Sequence, residues 1–498
     1  MTYVLGIDLG TGSLKGSVID VDGSLVIQKS SSYSIFSPEA GYKEQNPKDW
    51  VDAFEKVILK ISKDLPDFRK RIEAISFSGQ MHSLVLLDSM GKVLRNAILW
   101  NDVRTNQECR LIEKTYGKHI LELTKNKVLE GFTLPKIFWV QRNEPEIWEK
   151  VAKILLPKDY LRYFLSGSFE MDYSDAAGTL LLDIKERRWS EKILDEFNIP
   201  KSLMPKLAES QEVIGILKKD LREKYQFEKQ VLLVVGGADN PCAAIGSGVV
   251  DNNIGLCSIG TSGVILFSEK NGESDYEGKL HYFNHVIPRK YYSMGVTLSA
   301  GKSLDWFKET FAKKLSYEQI FNLASQIDVG SNGLLFTPYI DGERTPYFDG
   351  RIRGSFIGID SKHKLEHFSR SVLEGILFSL RDSLELYRHM GKKINGLVSV
   401  GGGAKNSIWL QMQADILGVP IFTMKSEQGP SVGAAILAAV GTDIYNSIET
   451  CVDHFVKYKS EFVPNEERSE KYQQAYNEYK KIYRYTKQIK QIENSDFS

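Results

Sequence analysis

The chain has 498 residues, of which 42% are hydrophobic and 26% charged, and its 64 lysines and arginines balance its 64 aspartates and glutamates. These fractions are typical of a globular protein and exclude a disordered or fibrous chain, and the length predicts two or three domains. The net charge of zero removes the attraction on which general nucleic-acid binding depends, so we expect no nucleic-acid partner.

The cysteine pattern and the N-terminus predict a cytoplasmic protein. The chain begins with a strand-like stretch in place of a signal peptide, and no apolar run is long enough to span a bilayer, so we expect no membrane partner. The cysteines lie far apart without a Cys-x-x-Cys pair, which fits a reducing compartment better than disulfides or a zinc site. They are Cys109, Cys242, Cys257 and Cys451.

The first thirty residues predict three antiparallel strands, with apolar runs at 4–9, 14–19 and 25–27 and a first turn of Gly10-Thr11-Gly12-Ser13. A near-copy of that turn, Gly260-Thr261-Ser262-Gly263, lies 250 residues further along and is again flanked by apolar strands. The repeat predicts two similar halves, an N-terminal lobe over 1–248 and a C-terminal lobe over 249–498.

Strands and helices alternate through both halves, which predicts an α/β fold. Strands are expected at 74–77, 83–87, 231–235 and 397–400, and helices at 49–65, 406–417 and 431–440. Four tyrosines at helical spacing near the end of the chain predict a terminal helix that docks onto its own domain. They are Tyr472, Tyr476, Tyr479 and Tyr483.

The two glycine-containing turns predict a polyphosphate site. Small residues let backbone N–H groups and hydroxyls face phosphate oxygens, and the carboxylate of Asp8 is placed to hold Mg²⁺. One such turn is as easily an ordinary hairpin with a surface aspartate, but two of them can grip a polyphosphate from opposite sides. A third cluster, Gly401 to Asn406, matches neither a Walker loop nor G-x-G-x-x-G, so a Rossmann dehydrogenase is poorly supported.

Asp239 is the candidate catalytic base. It follows the apolar strand at 231–235 and two glycines, the position where α/β enzymes place reactive carboxylates. The local sequence alone fits equally well an aspartate that caps the next helix. Phosphoryl transfer to an alcohol needs a carboxylate that accepts the hydroxyl proton.

Two strand ends in the first half carry polar and aromatic groups suited to a polyhydroxylated ligand. They are Gly79-Gln80-Met81-His82 and Trp100-Asn101-Asp102-Val103-Arg104. Amide and carboxylate groups pair with hydroxyls, and an indole covers the C–H face of a sugar. A single histidine such as His82 is by itself more often a structural residue.

Taken together, these motifs resemble the FGGY family of carbohydrate kinases over nearly the whole chain. Residues 131–143 fit the first family signature, and 354–359 with His367-Phe368 and Ser371-Val372-Leu373-Glu374 fit the second. Within the family, the stretches at 79–82, 99–102, 156–160, 175–179 and 342–346 look most like members that act on D-xylulose.

The resemblance implies two actin/hexokinase-like (ribonuclease H-like) lobes with a cleft between them. It implies phosphorylation of D-xylulose to D-xylulose 5-phosphate with ATP and Mg²⁺, a small-molecule sugar as partner, and a homodimer as an open alternative to a monomer. Asp239 would be the catalytic base, Asp8 the second catalytic carboxylate, and both would serve as metal ligands.

The resemblance also assigns binding residues by position. The sugar would contact Gln80, Met81, His82, Trp100, Asn101, Asp102, Asp239 and Asn240. ATP would contact Gly10, Thr11, Gly12, Ser13, Lys15, Gly260, Thr261, Ser262, Gly402, Gly403, Ala404 and Asn406.

Four departures from the family pattern leave the sugar open. Ser83 stands where glycine is usual after Met-His, and Met-His-Ser also resembles gluconate kinases of the same family. Ala238 replaces a usual glycine before the aspartate at 239. Pro241-Cys242 and Gly301-Lys302 each fall where the family usually has small residues. The alternatives are another FGGY kinase for gluconate, ribulose or an alditol, and a non-catalytic actin-like ATP switch.

Overall fold

The computed structural model describes residues 2–251, 253–425 and 429–489. The C-terminal end of the predicted second lobe, 490–498, therefore lies outside the described residues. No helix in the described ranges combines the length and the apolar character needed to cross a bilayer.

The first half of the chain carries fifteen of the strands and ten of the α-helices found in the described ranges. Its strands are β1 Tyr3–Leu9, β2 Ser13–Asp20, β3 Leu25–Ser32, β4 Glu44–Gln45, β5 Ile72–Gly79, β6 Val85–Leu87, β7 Ala97–Ile98, β8 Lys153–Leu155, β9 Glu170–Asp172, β10 Leu182–Asp183, β11 Arg188–Trp189, β12 Lys206–Ala208, β13 Val213–Ile216, β14 Leu232–Val234 and β15 Gly237–Ala238. Its helices are α1 Pro47–Asp64, α2 Phe68–Arg71, α3 Asn106–Thr124, α4 Thr133–Asn143, α5 Pro145–Trp148, α6 Pro157–Ser166, α7 Tyr173–Ala177, α8 Glu191–Glu196, α9 Lys219–Lys224 and α10 Asp239–Gly246.

The second half continues the same alternation. Its strands are β16 Ile254–Ile259, β17 Gly263–Glu269, β18 His281–Asn284, β19 Tyr291–Thr297, β20 Leu335–Thr337, β21 Ser355–Ile357, β22 Gly396–Gly401, β23 Ile421–Met424 and β24 Tyr458–Phe462. Its helices are α11 Gly301–Phe311, α12 Tyr317–Ser325, α13 Leu365–His389, α14 Ser407–Leu417, α15 Pro430–Gly441, α16 Ile448–Phe455 and α17 Glu466–Thr486. The predicted strands and helices all have counterparts here, shifted by a few residues at most, and β3 is longer than predicted.

Two large sheets repeat one topology, which confirms the predicted duplication. In the first, the order is β13-β14-β5-β1-β2-β3, with β15 also paired to β5. In the second it is β18-β19-β17-β16-β22-β23-β24. In each half the opening strand pairs antiparallel with the next strand and parallel with a later one: β1 with β2 and β5, and β16 with β17 and β22. The α/β fold of two lobes is confirmed.

The small-residue helix α15 packs on the sheet of the opposite half. Its core residues belong to the same buried cluster as Val4, Ile19 and Ala74 of the N-terminal sheet. The hydroxyl oxygens of Ser17 and Ser431 lie 2.8 Å apart. The approach is so close that a Cβ built on Gly6 would lie 1.8 Å from the carbonyl oxygen of Ser431. The second half of the chain therefore helps to build the core of the first lobe.

The terminal helix α17 docks onto its own lobe, as predicted. Tyr472, Tyr476 and Tyr479 are buried, and the rings of Tyr479 and Tyr476 lie 5.2 and 5.8 Å from that of Phe378 in α13. The hydroxyl of Tyr476 donates to Asp382 at 2.7 Å. The tyrosine stripe is thus part of the core, with its polar ends hydrogen-bonded.

We predict that Gly6→Ala destabilises the protein by about 3 kcal/mol or more, because the added methyl group must push α15 away from β1. The thermal midpoint of the purified variant measures the effect. Gly12→Ala is the matched control, since a Cβ built on Gly12 meets nothing within 4 Å, and its midpoint should equal that of the wild type. Equal midpoints for both variants would contradict the packing described here.

Candidate active site

Three connected cavities lie at the carboxyl edges of the two sheets. The largest, about 930 Å³, runs between the lobes from Lys15 on β2 to Gly402 after β22. A second, about 240 Å³, is reached past Asp239 and Asn240, which line both of these cavities. A third, about 300 Å³, shares Gly402 with the first and lies within the C-terminal lobe. Asp239 therefore stands at the junction of the interlobe cleft and the second cavity.

Asp8 and Asp239 are brought together by strand pairing. Asp8 in β1 lies level with Ser78 of β5, and Gly237 in β15 lies level with the same Ser78 on the other side of that strand. Both carboxylates consequently leave the same edge of the sheet, at the C-terminal ends of parallel strands. The two residues are far apart in the sequence, and the fold brings them close together.

The environment of this pair favours the protonated forms. Burial, opposed by the positive charge of Lys15, raises the pKa of Asp8 to about 6. Burial and the nearby charge of Asp8 raise the pKa of Asp239 to about 7. The negative charge of Asp8 repels a second negative charge on Asp239, so it makes ionisation of the buried Asp239 carboxyl harder. A base with a pKa near neutrality is well matched to proton transfer.

One oxygen of Asp239 is held in place while the other is left available. The backbone N–H of Asn240 donates to Oδ1 at 2.7 Å and its side-chain amide donates to the same atom at 2.9 Å. Among the described residues no group donates to Oδ2. Helix α10 begins at Asp239 itself, so the residue opens the helix and also faces the cavity.

The second cavity combines aromatic and polar walls. Met81, His82, Trp100, Phe132 and Asn240 line it from the N-terminal lobe. Trp100 is fixed because its indole N–H donates to the hydroxyl of Thr11 at 2.8 Å. His82 lies 2.6 Å from the carbonyl oxygen of Gly178 through Nδ1, and burial lowers its pKa to about 3. His82 is therefore neutral, with Nδ1–H as donor and Nε2 as acceptor.

Three of the residues assigned to the sugar by resemblance do not line this cavity. The amide of Gln80 is buried and donates to Gln45 at 3.2 Å. Asp102 is buried and accepts from the backbone of Lys43 at 2.6 Å and from the guanidinium of Arg104 at 2.7 Å. Asn101 lies beside them with Oδ1 buried and without a partner. These residues shape the loops around Trp100 and Met81.

The first-lobe turn at 10–13 is open around Gly12 but lines none of the three cavities. A Cβ built on Gly12 or on Gly402 would meet nothing within 4 Å, so a phosphate could approach the backbone closely. Gly10, Thr11 and Ser13 form the turn itself: Gly10 donates to the carbonyl of Ser13 at 3.1 Å. Lys15 lines the interlobe cleft.

The second-lobe turn borders the other cavities. Gly260 and Thr261 line the third cavity with Gly403 and Trp409, whereas Ser262 lines the second. Gly401 has a φ of +87° and lies against β16, where a Cβ would be 2.5 Å from the carbonyl of Ile259. Glycine is required there because the two strands end in contact.

Ala404 and Asn406 of the third glycine cluster lie in different surroundings. Ala404 lines the interlobe cleft. Asn406 caps helix α14 by accepting from the backbone of Trp409 at 3.1 Å, and it lines none of the three cavities. The flat wall of the third cavity is apolar, with Leu304, Phe321 and Ile376.

Sequence reasoning missed the cavity wall contributed by the C-terminal lobe. Ser258, His281 and Arg344 line the second cavity. His281 lies in an ordinary strand pattern and carries no motif. Arg344 lies in the stretch 342–346, and the resemblance of that stretch to the family could have marked Arg344 as a site residue.

A buried charge cluster supports the segment that carries Asp239. The ammonium of Lys158 lies 2.7 Å from Asp159, 2.9 Å from Asp172 and 3.2 Å from Asp175, and all four side chains are fully buried. These three aspartates could hold a metal ion by their spacing, but the ammonium of Lys158 already lies among them. Burial raises the pKa of Asp175 well above its usual range.

The cluster reaches the strand before Asp239 through two hydrogen bonds. Arg162 donates to Asp159 at 3.0 Å and to the carbonyl of Val235 at 2.8 Å. Ser174 accepts from the backbone N–H of Ala238 at 2.9 Å. The raised pKa of Asp175 favours its protonated form, which leaves two cations beside two carboxylates. The hydrogen bonds of this network fix the backbone just before Asp239.

We predict that Lys158→Met destabilises the protein by about 3–5 kcal/mol, because it leaves buried carboxylates without their cation. Urea denaturation followed by tryptophan fluorescence measures the shift. The control is Lys118→Met, since the Lys118 side chain is 92% exposed and its loss should change stability by less than about 0.5 kcal/mol. Equal urea midpoints for the Lys158 variant and the wild type would overturn this role.

We predict that Asp239→Asn stabilises the ligand-free protein at a pH of about 8 by on the order of 3 kcal/mol. Asp239 keeps its proton up to a pH of about 7 in the folded protein but only to about 4 in the unfolded chain. The folded state therefore binds more protons between these values, so the stability of the wild type falls as pH rises through that window. Thermal melts at about pH 4, 6 and 8 test this, and a variant no more stable than the wild type at the highest pH would contradict it.

The donor set fits a magnesium ion. Oδ1 of Asp8 is buried and has no hydrogen-bond partner, and the neighbouring Asp239 is a second carboxylate with a raised pKa. Carboxylate oxygens are the ligands that Mg²⁺ prefers, and a divalent cation would relieve the repulsion between them. The arrangement can therefore bind a metal–polyphosphate group beside a base.

Comparison with known proteins agrees with this geometry. Residues 3–246 match the N-terminal domain of the FGGY family of carbohydrate kinases, and residues 255–442 match its C-terminal domain. A xylulose kinase of Lactococcus lactis is 51% identical over 491 residues, covering 98% of both chains. A xylulose kinase of Bacillus subtilis is 47% identical, again over 98% of both. The solved structure of a gluconate kinase from Lactobacillus acidophilus is 27% identical with a TM-score of 0.94, covering 100% of both chains.

Proposed function

The chain belongs to the FGGY family of carbohydrate kinases, and from this membership we propose that it transfers the γ-phosphate of ATP to the terminal hydroxyl of D-xylulose, with Asp239 as the base. The two-lobe fold is that of actin and hexokinase, and the activity is that of an ATP-dependent sugar kinase. Relatives at 51% and 47% identity are named xylulose kinases, which supports D-xylulose as the sugar.

The observation that carries the proposal is the position of Asp239. It lines both the cavity of about 240 Å³, sized for a small sugar, and the interlobe cleft. A sugar hydroxyl in this second cavity and a phosphate in the interlobe cleft would meet at Asp239. The free Oδ2 of Asp239 accepts the hydroxyl proton as the oxygen attacks phosphorus, and the leaving group is ADP.

Proton acceptance at Asp239 depends on its surroundings. Its pKa of about 7 leaves a large ionised fraction at neutral pH and still gives a base strong enough to assist attack. Asn240 holds Oδ1 through two hydrogen bonds, so Oδ2 is oriented without movement of the side chain. Positioning of this kind supplies much of the rate in phosphoryl transfer.

The nucleotide would lie across both lobes. We place its phosphates against the turns at 10–13 and 260–262 and near Lys15, and its adenosine in the third cavity beside Gly402 and Gly403. Asp8, with Asp239, would hold the Mg²⁺ that neutralises charge on the phosphates. Ala404 would border this nucleotide, and Asn406 would support it indirectly by fixing the start of α14.

The sugar would be held by both lobes. Met81, His82 and Trp100 form one wall, and residues of the C-terminal lobe form the other. Closure of the lobes around the sugar would exclude water from the phosphate, which limits wasteful hydrolysis of ATP. Gln80, Asn101 and Asp102 would act by shaping the loops, since they do not line the cavity.

The test is ADP release with Mg-ATP against D-xylulose, D-ribulose, L-ribulose, gluconate, glycerol and xylitol. We predict a preference for D-xylulose and a loss of at least about 10³-fold in kcat for Asp239→Ala, because the base is removed from the reacting hydroxyl. Thermal melts with and without ADP serve as the control that the variant still folds and binds nucleotide.

Each other outcome has a definite meaning. A preference for gluconate would change the assigned substrate from D-xylulose to gluconate and leave the proposed mechanism unchanged. Gluconate is the second candidate because a gluconate kinase structure is 27% identical to this chain and because Ser83 follows Met-His here. ATP binding without any sugar-stimulated release would favour a nucleotide switch. Full activity of the Asp239 variant would remove that residue from the mechanism.

A further inference from the structure

His281 is a second histidine on the wall of the sugar cavity, contributed by strand β18 of the C-terminal lobe. Its side chain is buried, at 3% exposure, and its ring stacks on Phe283 at 5.9 Å between centroids. Its Nε2 atom is buried and has no hydrogen-bond partner, although a buried polar atom is costly to leave unpaired. Because His281 lines the second cavity, its unpaired nitrogen is available to pair with a ligand bound there.

The hydrogen bonds of Asn126 fix which tautomer His281 adopts. The amide nitrogen of Asn126 donates to the carbonyls of Thr124 at 2.8 Å and Tyr282 at 2.7 Å. Its Oδ1 is therefore the acceptor, and it receives the backbone N–H of Tyr282 at 3.2 Å. His281 Nδ1, also 3.2 Å from that oxygen, must carry the proton.

It follows that Nε2 of His281 presents a lone pair. Burial, together with the nearby positive charge of Arg344, holds the pKa of His281 well below its usual range, so the ring stays neutral. A neutral imidazole with Nδ1–H donating has only an acceptor on the other side. The group that would satisfy it is a hydroxyl that donates.

Arg344 supplies the complementary donors in the same cavity. Its backbone N–H donates to Glu343 at 2.8 Å, but within the described residues its guanidinium makes neither a hydrogen bond nor an ion pair. A guanidinium offers five N–H groups in a planar fork. Arg344 and His281 together thus present strong donors next to a single acceptor.

We propose that His281 and Arg344 recognise the hydroxyketone end of the sugar, with Nε2 of His281 accepting from the O1 hydroxyl and the guanidinium of Arg344 donating to the C2 carbonyl oxygen. This assignment rests on the proposed function, because it places the other end of the chain at Asp239. Asn126 is a positioning residue that sets the tautomer of His281. The open-chain ketose is the form that offers a donor and an acceptor on adjacent carbons.

The decisive experiment removes the imidazole of His281, the O1 hydroxyl of the sugar, or both. Wild type and His281→Phe are assayed with D-xylulose and with 1-deoxy-D-xylulose, which lacks the O1 hydroxyl. We expect kcat/KM for D-xylulose to fall about 10- to 100-fold in the variant, and kcat/KM for the deoxy sugar to change by less than about 3-fold. Equal losses for both sugars would overturn the assignment.

Two further variants separate a hydrogen bond from a packing role. A glutamine side chain can bring its amide oxygen to the place of Nε2, whereas asparagine reaches only the place of Nδ1. His281→Gln should therefore recover most of the activity toward D-xylulose and His281→Asn should not. Equal activities of these two variants would assign His281 to packing alone.

The role of Arg344 is tested separately, by the KM for each substrate. Arg344→Met should raise KM for D-xylulose about 10-fold or more while KM for ATP changes little, because the lost donors face the sugar. An unchanged KM for D-xylulose would remove Arg344 from the proposal. If the wild type does not phosphorylate D-xylulose, the proposed function itself has failed; if it does and the variants discriminate nothing, only this inference has failed.

Discussion

The repulsion between Asp8 and Asp239 is the interaction around which the rest of the site is organised. Both carboxylates lie at the same sheet edge, and burial raises the pKa of each, to about 6 for Asp8 and about 7 for Asp239. A fold selected for stability alone would not keep two such groups together. The proposed function accounts for their presence, because a cation and a proton that arrive with the substrates would relieve the repulsion between them.

Such a site needs a rigid foundation, and the buried network around Lys158 provides it. Arg162 and Ser174 hold the backbone on either side of Gly236, at Val235 and Ala238. The side chain of Asp239 therefore stays close to Asp8 although the two carboxylates repel each other. A buried network of ion pairs thus lies next to the Asp8–Asp239 pair. The network fixes the backbone, and in the proposed function the pair performs the chemistry.

Local pattern was sufficient to predict the turns and the strands that flank them. The first strand, the Gly10–Ser13 turn and the position of Asp239 after its glycines depend on neighbours in sequence, so periodicity and turn chemistry predict them. The duplication was visible because the same turn recurs before β17. Family resemblance then added the roles of residues whose local sequence left alternatives open, such as Asp239 as a cap or a base.

Features that depend on distant contacts were not accessible in this way. Nothing in the sequence of α15 says that it lies against Gly6 of the other half, because its small residues fit any close helix contact. Asp102 resembles a sugar ligand until the fold places Arg104 and Lys43 around it. His281 becomes a site residue only when Asn126, far away in the chain, orients its ring.

Residues of both lobes line the second cavity, and in the proposed function this links recognition of the sugar to catalysis. Trp100 and His82 come from one lobe, while His281 and Arg344 come from the other. A ligand that contacts both walls stabilises the arrangement in which the lobes approach each other, and a ligand that lacks those groups contributes less to it. The turns at 10–13 and 260–262, where we propose that the phosphates bind, also belong to opposite lobes. The same approach would therefore bring the γ-phosphate toward Asp239, so that selection of the sugar and assembly of the reacting groups become a single event.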